Sequence, residues 1–401
     1  MPARFKNYLV YFCLSLCLWQ PIYALIFPSG DNIKNKAAPD AARTDIFNAI
    51  GRSMNTGNGS GSAVYLGGKY VLTANHVNLL SNISFDGSTL YEIDSAFGKR
   101  QIGDKDLKII KLEKVPTGLV GVTLNTATQE TNKIGTLVGW GRGRSPSDTD
   151  GSNGWTWGNS ATEDKRWGEN KIAGTGIFQA YSDPNNTYTN TPVLITVLNN
   201  NTDDDEAAAA YLDSGGGIFA KFGTQWRLVG LTILSSDPSN FNNSDQNFFV
   251  RISSYASAIE ALIPDPSILS DWKVDQSLYN ADADNTADTD FDGIGQLLEF
   301  ALGGDPNAND ISILPTHALA EDGGSSYLEL TVTRPKDLQG ITYTPITTTD
   351  LTSWPSGSTG IVDDTPTPTD NGDGTETLIY RRSQAVSGVD QAFIRIEASE
   401  N

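Results

Sequence analysis

The chain has 401 residues, of which 48 are acidic and 28 are basic, so its formal net charge is −20 at pH 7. A surface of this charge repels phosphates, which argues against a nucleic-acid partner or an anionic membrane. The length suggests two or three domains, and 39 glycines with 38% hydrophobic residues favour β structure over a helix bundle.

Residues 1–24 have the pattern of a secretory signal peptide: a basic start, the apolar run "YLVYFCLSLCLW", and "PIYA" with cleavage expected after Ala24. The run is too short to span a membrane, although an uncleaved anchor is an alternative. The only two cysteines, Cys13 and Cys17, lie inside this segment, so the exported chain would have no disulfide. We therefore expect a secreted monomer (extracellular, on the cell surface or periplasmic) without a membrane span after processing.

The region 25–263 consists of short apolar runs separated by Gly, Asn and Asp, which predicts the strands of an antiparallel barrel or sandwich. Its end, "SSYASAIEALIP", places Tyr255, Ile259 and Leu262 at helical spacing before Pro264 and predicts a closing helix. The clearest strand candidates are "GSAVYLGGKYVLTA", "DLKIIKLEKV", "GTLVGWGRG", "TPVLITVL" and "WRLVGLTIL".

The remainder of the chain differs in composition. Residues 264–325 form an acidic stretch that predicts a linker, with a short helix in "GQLLEFALGGDP" that the two glycines end. Residues 326–401 again alternate between apolar and polar positions, with turns such as "TDNGDGTE", and predict a small β-sandwich-like domain.

A candidate nucleophile lies in "YLDSGGGIFAKF", where Ser214 occupies a glycine-rich turn. Serine catalysis needs a base within hydrogen-bond reach and a carboxylate that orients the base. Of the two histidines, His317 lies outside the region 25–263, so the base would be His76. For the carboxylate, "GDKDLKIIKLEK" offers Asp104 and Asp106, and Asp106 opens an alternating strand.

Six fragments in order resemble the chymotrypsin/trypsin family of serine endopeptidases: "VLTANHV", "DLKIIKL", "LVGWGRG", "LDSGGGIF", "WRLVGLTI" and "FFVRISSYASAIEALI". The resemblance covers about residues 45–263 and implies a double antiparallel β-barrel with a C-terminal helix. It makes Ser214 the nucleophile, His76 the general base and then acid, and Asp106 the orienting carboxylate. The oxyanion hole would be formed by the backbone N–H groups of Leu212 and Ser214.

The chain departs from the family pattern at several positions. Leu212 replaces a glycine, so its peptide is expected to be strained or flipped, and losing one oxyanion donor costs about a hundred- to a thousandfold in rate. The family's activation terminus is absent, and the new terminus at Leu25 is a candidate partner for Asp213. Val77 and Ala210 stand where family members often have disulfide cysteines.

The resemblance also places Ala208 on the floor of the primary specificity pocket. A neutral floor cannot balance a buried Lys or Arg of the substrate, so we expect cleavage after an uncharged, apolar side chain. A two-residue shift of the alignment would bring Glu206 into this position instead.

A separate motif, "DTDFDGIGQLLE", fits a twelve-residue calcium loop and resembles EF-hand-like and dockerin-like loops. We expect a structural calcium ion there and no cofactor for catalysis; the alternative is a solvated acidic linker. The expected ligands are three carboxylates, a backbone carbonyl, a water held by an amide, and a bidentate carboxylate: Asp288, Asp290, Asp292, Ile294, Gln296 and Glu299, with Gly293 at the turn.

The sequence thus predicts a secreted serine endopeptidase that hydrolyses protein or peptide substrates through an acyl-enzyme intermediate. The alternative is a catalytically impaired homologue of such a protease that acts as an extracellular binding module.

Overall fold

The computed structural model describes residues 25, 34–55, 58–145, 158–183, 185–199, 205–236, 244–387 and 389–401. The predicted signal peptide lies outside these residues. The chain divides after Ile263 into two compact units, and each is predominantly antiparallel β structure, which confirms the predicted all-β class. Within the described ranges, no helix is both long enough and apolar enough to cross a membrane.

The first sheet of unit 1 follows a short helix α1 (Thr44–Asn48) and has seven antiparallel strands in the order β5-β4-β1-β2-β3-β7-β6. Its curled inner face encloses a core that includes Tyr65, Val71, Phe85 and Ile110. The strands are β1 (Ile50–Asn55), β2 (Asn58–Gly67), β3 (Tyr70–Thr73), β4 (Asn82–Ser84), β5 (Tyr91–Glu92), β6 (Arg100–Gln101) and β7 (Lys108–Lys111).

The second sheet of unit 1 is a closed six-stranded barrel in the order β10-β13-β12-β11-β8-β9. Its core includes Leu25, Leu137, Ile218 and Phe249, and helix α2 (Ala256–Glu260) follows the last strand where the sequence predicts a closing helix. The strands are β8 (Ile134–Arg142), β9 (Glu163–Ser182), β10 (Thr187–Val197), β11 (Gly217–Phe222), β12 (Gln225–Ser235) and β13 (Gln246–Arg251).

The double β-barrel that the resemblance implies is therefore found only in part. The second sheet closes with six strands, whereas the first has seven, and no pairing between its edge strands β5 and β6 occurs among the described residues. The two sheets are joined through Ser62, whose Oγ accepts a hydrogen bond from the Trp140 N–H at 2.8 Å and donates to the Leu212 carbonyl at 2.9 Å. This junction brings the turn that carries Ser214 against β2.

Unit 2 contains helices α3 (Leu269–Asp275) and α4 (Gln296–Leu302) and two antiparallel sheets. One sheet has the order β14-β15-β18-β17 and the other pairs β16 with β19. The strands are β14 (Thr316–Asp322), β15 (Ser325–Pro335), β16 (Ile341–Thr348), β17 (Thr369–Asp370), β18 (Thr375–Arg381) and β19 (Phe393–Glu400).

The predicted linker 264–325 supplies part of the core of unit 2. Leu302 packs with Val332 and Tyr380 of the sheet, and the Trp272 and Phe300 rings lie 5.5 Å apart. Helix α4 ends at Gly303, as predicted, because this residue adopts a φ of 81° that glycine tolerates without a steric penalty.

Candidate functional site

The imidazole of His76 is held by the carboxylate of Asp106. His76 lies in the turn that follows β3, and its Nδ1 is 2.6 Å from Asp106 Oδ2 while its backbone N–H donates to Asp106 Oδ1 at 2.8 Å. Asp106 is completely buried. Because Nδ1 donates to a carboxylate, the neutral ring keeps a free lone pair on Nε2, which is the tautomer that a general base requires.

The protonation of His76 depends on this carboxylate. Burial alone would lower the pKa of His76, but the charge of Asp106 and the hydrogen bond to it raise that pKa above its usual value. Nε2 is buried and has no hydrogen-bond partner in the described part of the chain. The structure therefore does not join the Ser214 hydroxyl to His76 by a hydrogen bond; such bonds often form only when substrate is bound.

Ser214 nevertheless lies next to the turn that carries His76. Its carbonyl accepts a hydrogen bond from the Ser62 N–H at 2.7 Å. A Cβ added to Gly215, which has a φ of 87°, would lie 2.4 Å from Thr73 Oγ1, three residues before His76. Only glycine fits this approach, so the glycine after Ser214 is what lets its turn pack against the end of β3.

Leu212 adopts the strained conformation that the sequence suggests. Its φ is 79°, in the left-handed region that favours glycine. The Leu212 carbonyl is fixed by Ser62 Oγ at 2.9 Å, and no carbonyl of the described residues accepts a hydrogen bond from the Leu212 N–H. None of these carbonyls therefore competes for the Leu212 N–H, and its role as an oxyanion donor stays a prediction.

Asp213 has a carboxylate that is almost completely out of contact with water. Its Oδ2 accepts a hydrogen bond from the Ala210 N–H at 3.1 Å, but its Oδ1 has no partner among the described residues. Burial raises the pKa of Asp213 well above its usual value, and the charge of Arg166 opposes this. Leu25, its candidate partner, has its side chain in the core of the second barrel, and the pairing of its amine with Asp213 stays a prediction.

The alanine run that includes Ala208 is buried. Ala208 is 1% exposed, and its neighbours are held through the Ala209 N–H, which donates to Asn247 Oδ1 at 3.0 Å. Glu206 accepts a hydrogen bond from the Asn199 N–H through Oε1. The position of Ala208 on a pocket floor, and the preference derived from it, stay predictions.

The structure adds one site residue that the sequence did not indicate. Tyr181, near the end of β9, donates its hydroxyl to Asp106 Oδ2 at 3.3 Å. Burial and the charge of Asp106 raise the pKa of Tyr181 well above its usual value, so the hydroxyl keeps its proton. The two residues are 75 positions apart, and no local pattern in the sequence signals such a contact.

The aspartate loop of unit 2 forms a second cluster of charged groups. Ligand atoms of Asp288, Asp290 and Asp292 lie within 4.8 Å of one another, and Gly293 makes the predicted turn with a φ of 93°. The Ile294 N–H donates to Asp292 Oδ1 at 2.8 Å. The side-chain amide of Gln296 donates to Thr289 Oγ1 at 3.1 Å, so its nitrogen is used within the loop.

The surroundings of the Glu299 carboxylate indicate whether this cluster fits a cation. Glu299 is 1% exposed, and neither carboxylate oxygen has a partner among the described residues. Burial and the charges of Asp310 and Asp292 raise the pKa of Glu299 to about 8. A buried carboxylate surrounded by other carboxylates needs a positive charge to be stable in its ionised form, so the donor set fits a divalent cation.

Asp310 is the acidic residue of this cluster that lies outside the twelve-residue loop. Its carboxylate falls within 4.8 Å of ligand atoms of Asp292 and Glu299, and its backbone N–H donates to Asp292 Oδ2 at 3.1 Å. Its Oδ1 is buried without a described partner. The spacing of 18 residues from Asp292 explains why the loop pattern did not include it.

No family model and no curated protein matches the chain. Among solved structures, it is similar to neuropsin, a serine protease expressed in the limbic system of mouse brain, with 16% identity over 57% of this chain and 97% of that one and a TM-score of 0.39. It is also similar to an inactive mutant of Rv3671c from M. tuberculosis H37Rv, with 10% identity over 56% and 91% of the chains and a TM-score of 0.38. At these values the likeness decides nothing about activity.

Proposed function

We propose that unit 1 is a trypsin-like serine endopeptidase that hydrolyses peptide bonds. The observation that carries the proposal is that Asp106 accepts hydrogen bonds from both the ring and the backbone N–H of His76. An aspartate that fixes the tautomer of a histidine beside a serine turn is the arrangement by which serine hydrolases activate their nucleophile.

The reaction follows from these groups. Ser214 Oγ attacks the scissile carbonyl as its proton passes to His76 Nε2, and the backbone N–H groups of Leu212 and Ser214 stabilise the oxyanion. The imidazolium then gives the proton to the departing amine as the C–N bond breaks, which leaves an acyl ester on Ser214. A water molecule, deprotonated by His76, hydrolyses this ester and restores the serine.

The competing proposal is a catalytically impaired homologue that binds extracellular ligands. Two observations favour it: the unbonded Nε2 of His76 and the left-handed conformation of Leu212. Both are compatible with activity, because the catalytic hydrogen bond can form with substrate and the Leu212 N–H has no competing acceptor among the described residues.

Labelling with a serine-directed phosphonate separates the two proposals. We expect stoichiometric labelling of the wild-type chain, its loss in Ser214→Ala and His76→Ala, and wild-type labelling of Ser88→Ala, which changes an exposed serine. A wild-type chain that remains unlabelled, or equal labelling of Ser214→Ala, would rule out the hydrolase. Peptide libraries then test the expected uncharged residue before the cleaved bond; cleavage mainly after Lys or Arg would overturn that preference.

We further propose that unit 2 binds calcium through the loop 288–299. The support is the buried Glu299 with two unpartnered oxygens, which faces Asp292 and Asp310. Asp288, Asp290, Asp292 and Glu299 would hold the ion, and Asp310 would add a carboxylate from the segment after α4. The ion would supply positive charge and tie this segment to the loop.

Calorimetric titration of the full chain with calcium tests this site. We expect binding in the wild type, loss of binding in Glu299→Gln, and at least about tenfold weaker binding in Asp310→Asn, because a charged ligand becomes neutral. Asp364→Asn, an exposed acidic residue of the same unit, is the matched control and should bind like the wild type. Absence of wild-type binding at millimolar calcium would discard the site, and wild-type affinity of Asp310→Asn would remove Asp310 from it.

A further inference from the structure

The turn that carries His76 is held by a buried lysine. Lys108 Nζ donates to the Asn75 carbonyl at 2.9 Å and to the Val77 carbonyl at 2.7 Å, so one ammonium group binds the backbone on both sides of His76. The turn is also closed by the Val77 N–H, which donates to the carbonyl of residue 74 at 3.1 Å.

Lys108 lies on the same segment as Asp106, the proposed catalytic carboxylate. Asp106 and Lys108 are two residues apart, and both bind the turn by hydrogen bonds. The carboxylate accepts from the His76 N–H, while the ammonium donates to the flanking carbonyls. In the pairing of β3 with β7, Lys108 lies opposite Thr73, the last strand residue before the turn. This register places Lys108 beside the strand end from which the turn starts.

The burial of Lys108 shows that these two bonds are its main attachment. The residue is 3% exposed, and both hydrogen bonds that its Nζ makes to the described backbone go to carbonyls of the His76 turn. A buried ammonium is costly unless it finds hydrogen-bond acceptors, and here two backbone carbonyls accept from it. Moreover, the turn and its flanks, "TANHVN", have no cysteine that could tie them covalently.

We propose that Lys108 is a positioning residue: it fixes the turn so that the His76 ring stays aligned with Asp106 and Ser214, and its ammonium places a positive charge against the backbone on both sides of that ring. The kinetic consequence rests on the proposed hydrolase function. The electrostatic consequence does not, because it can be measured on the imidazole itself.

Replacement by methionine tests the positioning role, since Lys108→Met removes the charge and the donors and keeps a side chain of similar length. Lys111→Met is the matched control, because Lys111 is a completely buried lysine of the same strand that pairs with Asp94 at 3.1 Å, away from His76. We expect Lys108→Met to lower kcat by about 10- to 100-fold with little change in KM, the cost of small misalignments in a catalytic group. Lys111→Met should lower thermal stability and leave kcat unchanged.

Proton NMR gives a readout that does not require activity. The chain has two histidines, so the imidazole resonances of His76 and His317 can be assigned by comparison with His317→Gln. The groups facing His76 are the carboxylates of Asp106 and Asp183 and the ammonium of Lys108. Removing the ammonium leaves the two negative charges unopposed, so Lys108→Met should raise the pKa of His76, and Lys111→Met should not change it.

The outcomes are distinguishable. A wild-type kcat in Lys108→Met, or a kcat loss equal to that of Lys111→Met, would overturn the positioning role. An unchanged or lowered pKa of His76 in Lys108→Met would overturn the electrostatic role. If the wild-type chain is not labelled at Ser214, the hydrolase proposal fails. The NMR titration still decides whether Lys108 lowers the pKa of His76.

Discussion

Replacing Leu212 with glycine tests whether this leucine distorts the oxyanion hole. At a φ of 79° the leucine carries a left-handed strain of about 1–2 kcal/mol, which glycine would remove. Glycine is more flexible in the unfolded chain, which costs about 0.5–1 kcal/mol, and loss of the half-buried side chain costs up to about 1 kcal/mol. The terms nearly cancel, so the free energy of unfolding should change by less than about 1 kcal/mol.

The effect on activity follows from the same geometry. Because the backbone already has the conformation that glycine would take, Leu212→Gly should leave kcat within about threefold of wild type. Leu212→Val is the contrasting variant, because a β-branched residue tolerates this φ worst, and it should lower both stability and kcat. Urea unfolding gives the stability, and kcat is normalised to the fraction of chains labelled by phosphonate. A rise of kcat by a hundredfold in Leu212→Gly would show that the leucine misplaces the donor and would refute the reasoning.

Three further predictions concern the groups around the site. Activity on an ester substrate should fall as the pH drops through the raised pKa of His76, because the base must be neutral. Asp106→Asn should lower kcat by about 10⁴-fold and move this acidic side of the pH–rate profile to lower pH. A profile whose acidic side stays in place would contradict the pairing. Tyr181→Phe should lower kcat by less than about tenfold, since its hydrogen bond of 3.3 Å is long, and a larger loss would show a direct role. In the chain that retains residues 1–24, where Leu25 has no free amine, Asp213→Asn should be more stable than wild type at pH 8 in urea unfolding. The pKa of Asp213 is raised in the folded chain, so its stabilising contribution is full below about pH 4 and is lost as the pH rises through the folded value. A less stable variant at pH 8 would disprove this.

Some features of the site could be anticipated from the sequence. The resemblance of several fragments, in order, to one protease family implied that His76 and Asp106 lie together, and their side chains are 2.6 Å apart. The strained backbone of Leu212 was expected because this residue stands where the resembled family has glycine, and the end of α4 was expected from Gly303.

Long-range features could not be read in this way. The alternating pattern of the strand after Asp106 suggested one buried face, but all residues from Asp106 to Leu112 are buried, because β7 lies between β3 and β6 and both of its faces are covered. The burial of Lys108 follows from this packing and from carbonyls some 30 residues away. Tyr181 and Asp310 likewise reach their partners only through tertiary folding.

The length of β9 has a consequence for heat inactivation. The strand has 20 residues, and beyond Ile172 all of them are exposed or half-buried, so the outer part of β9 buries less apolar surface than the part within the barrel. Tyr181, which contacts Asp106, lies in this outer part. Segments with little buried apolar surface open at a lower free energy than the whole domain. On heating, this outer part of β9 should therefore release the aspartate before the barrel melts, and any hydrolytic activity should fade at a temperature where the strands are still intact.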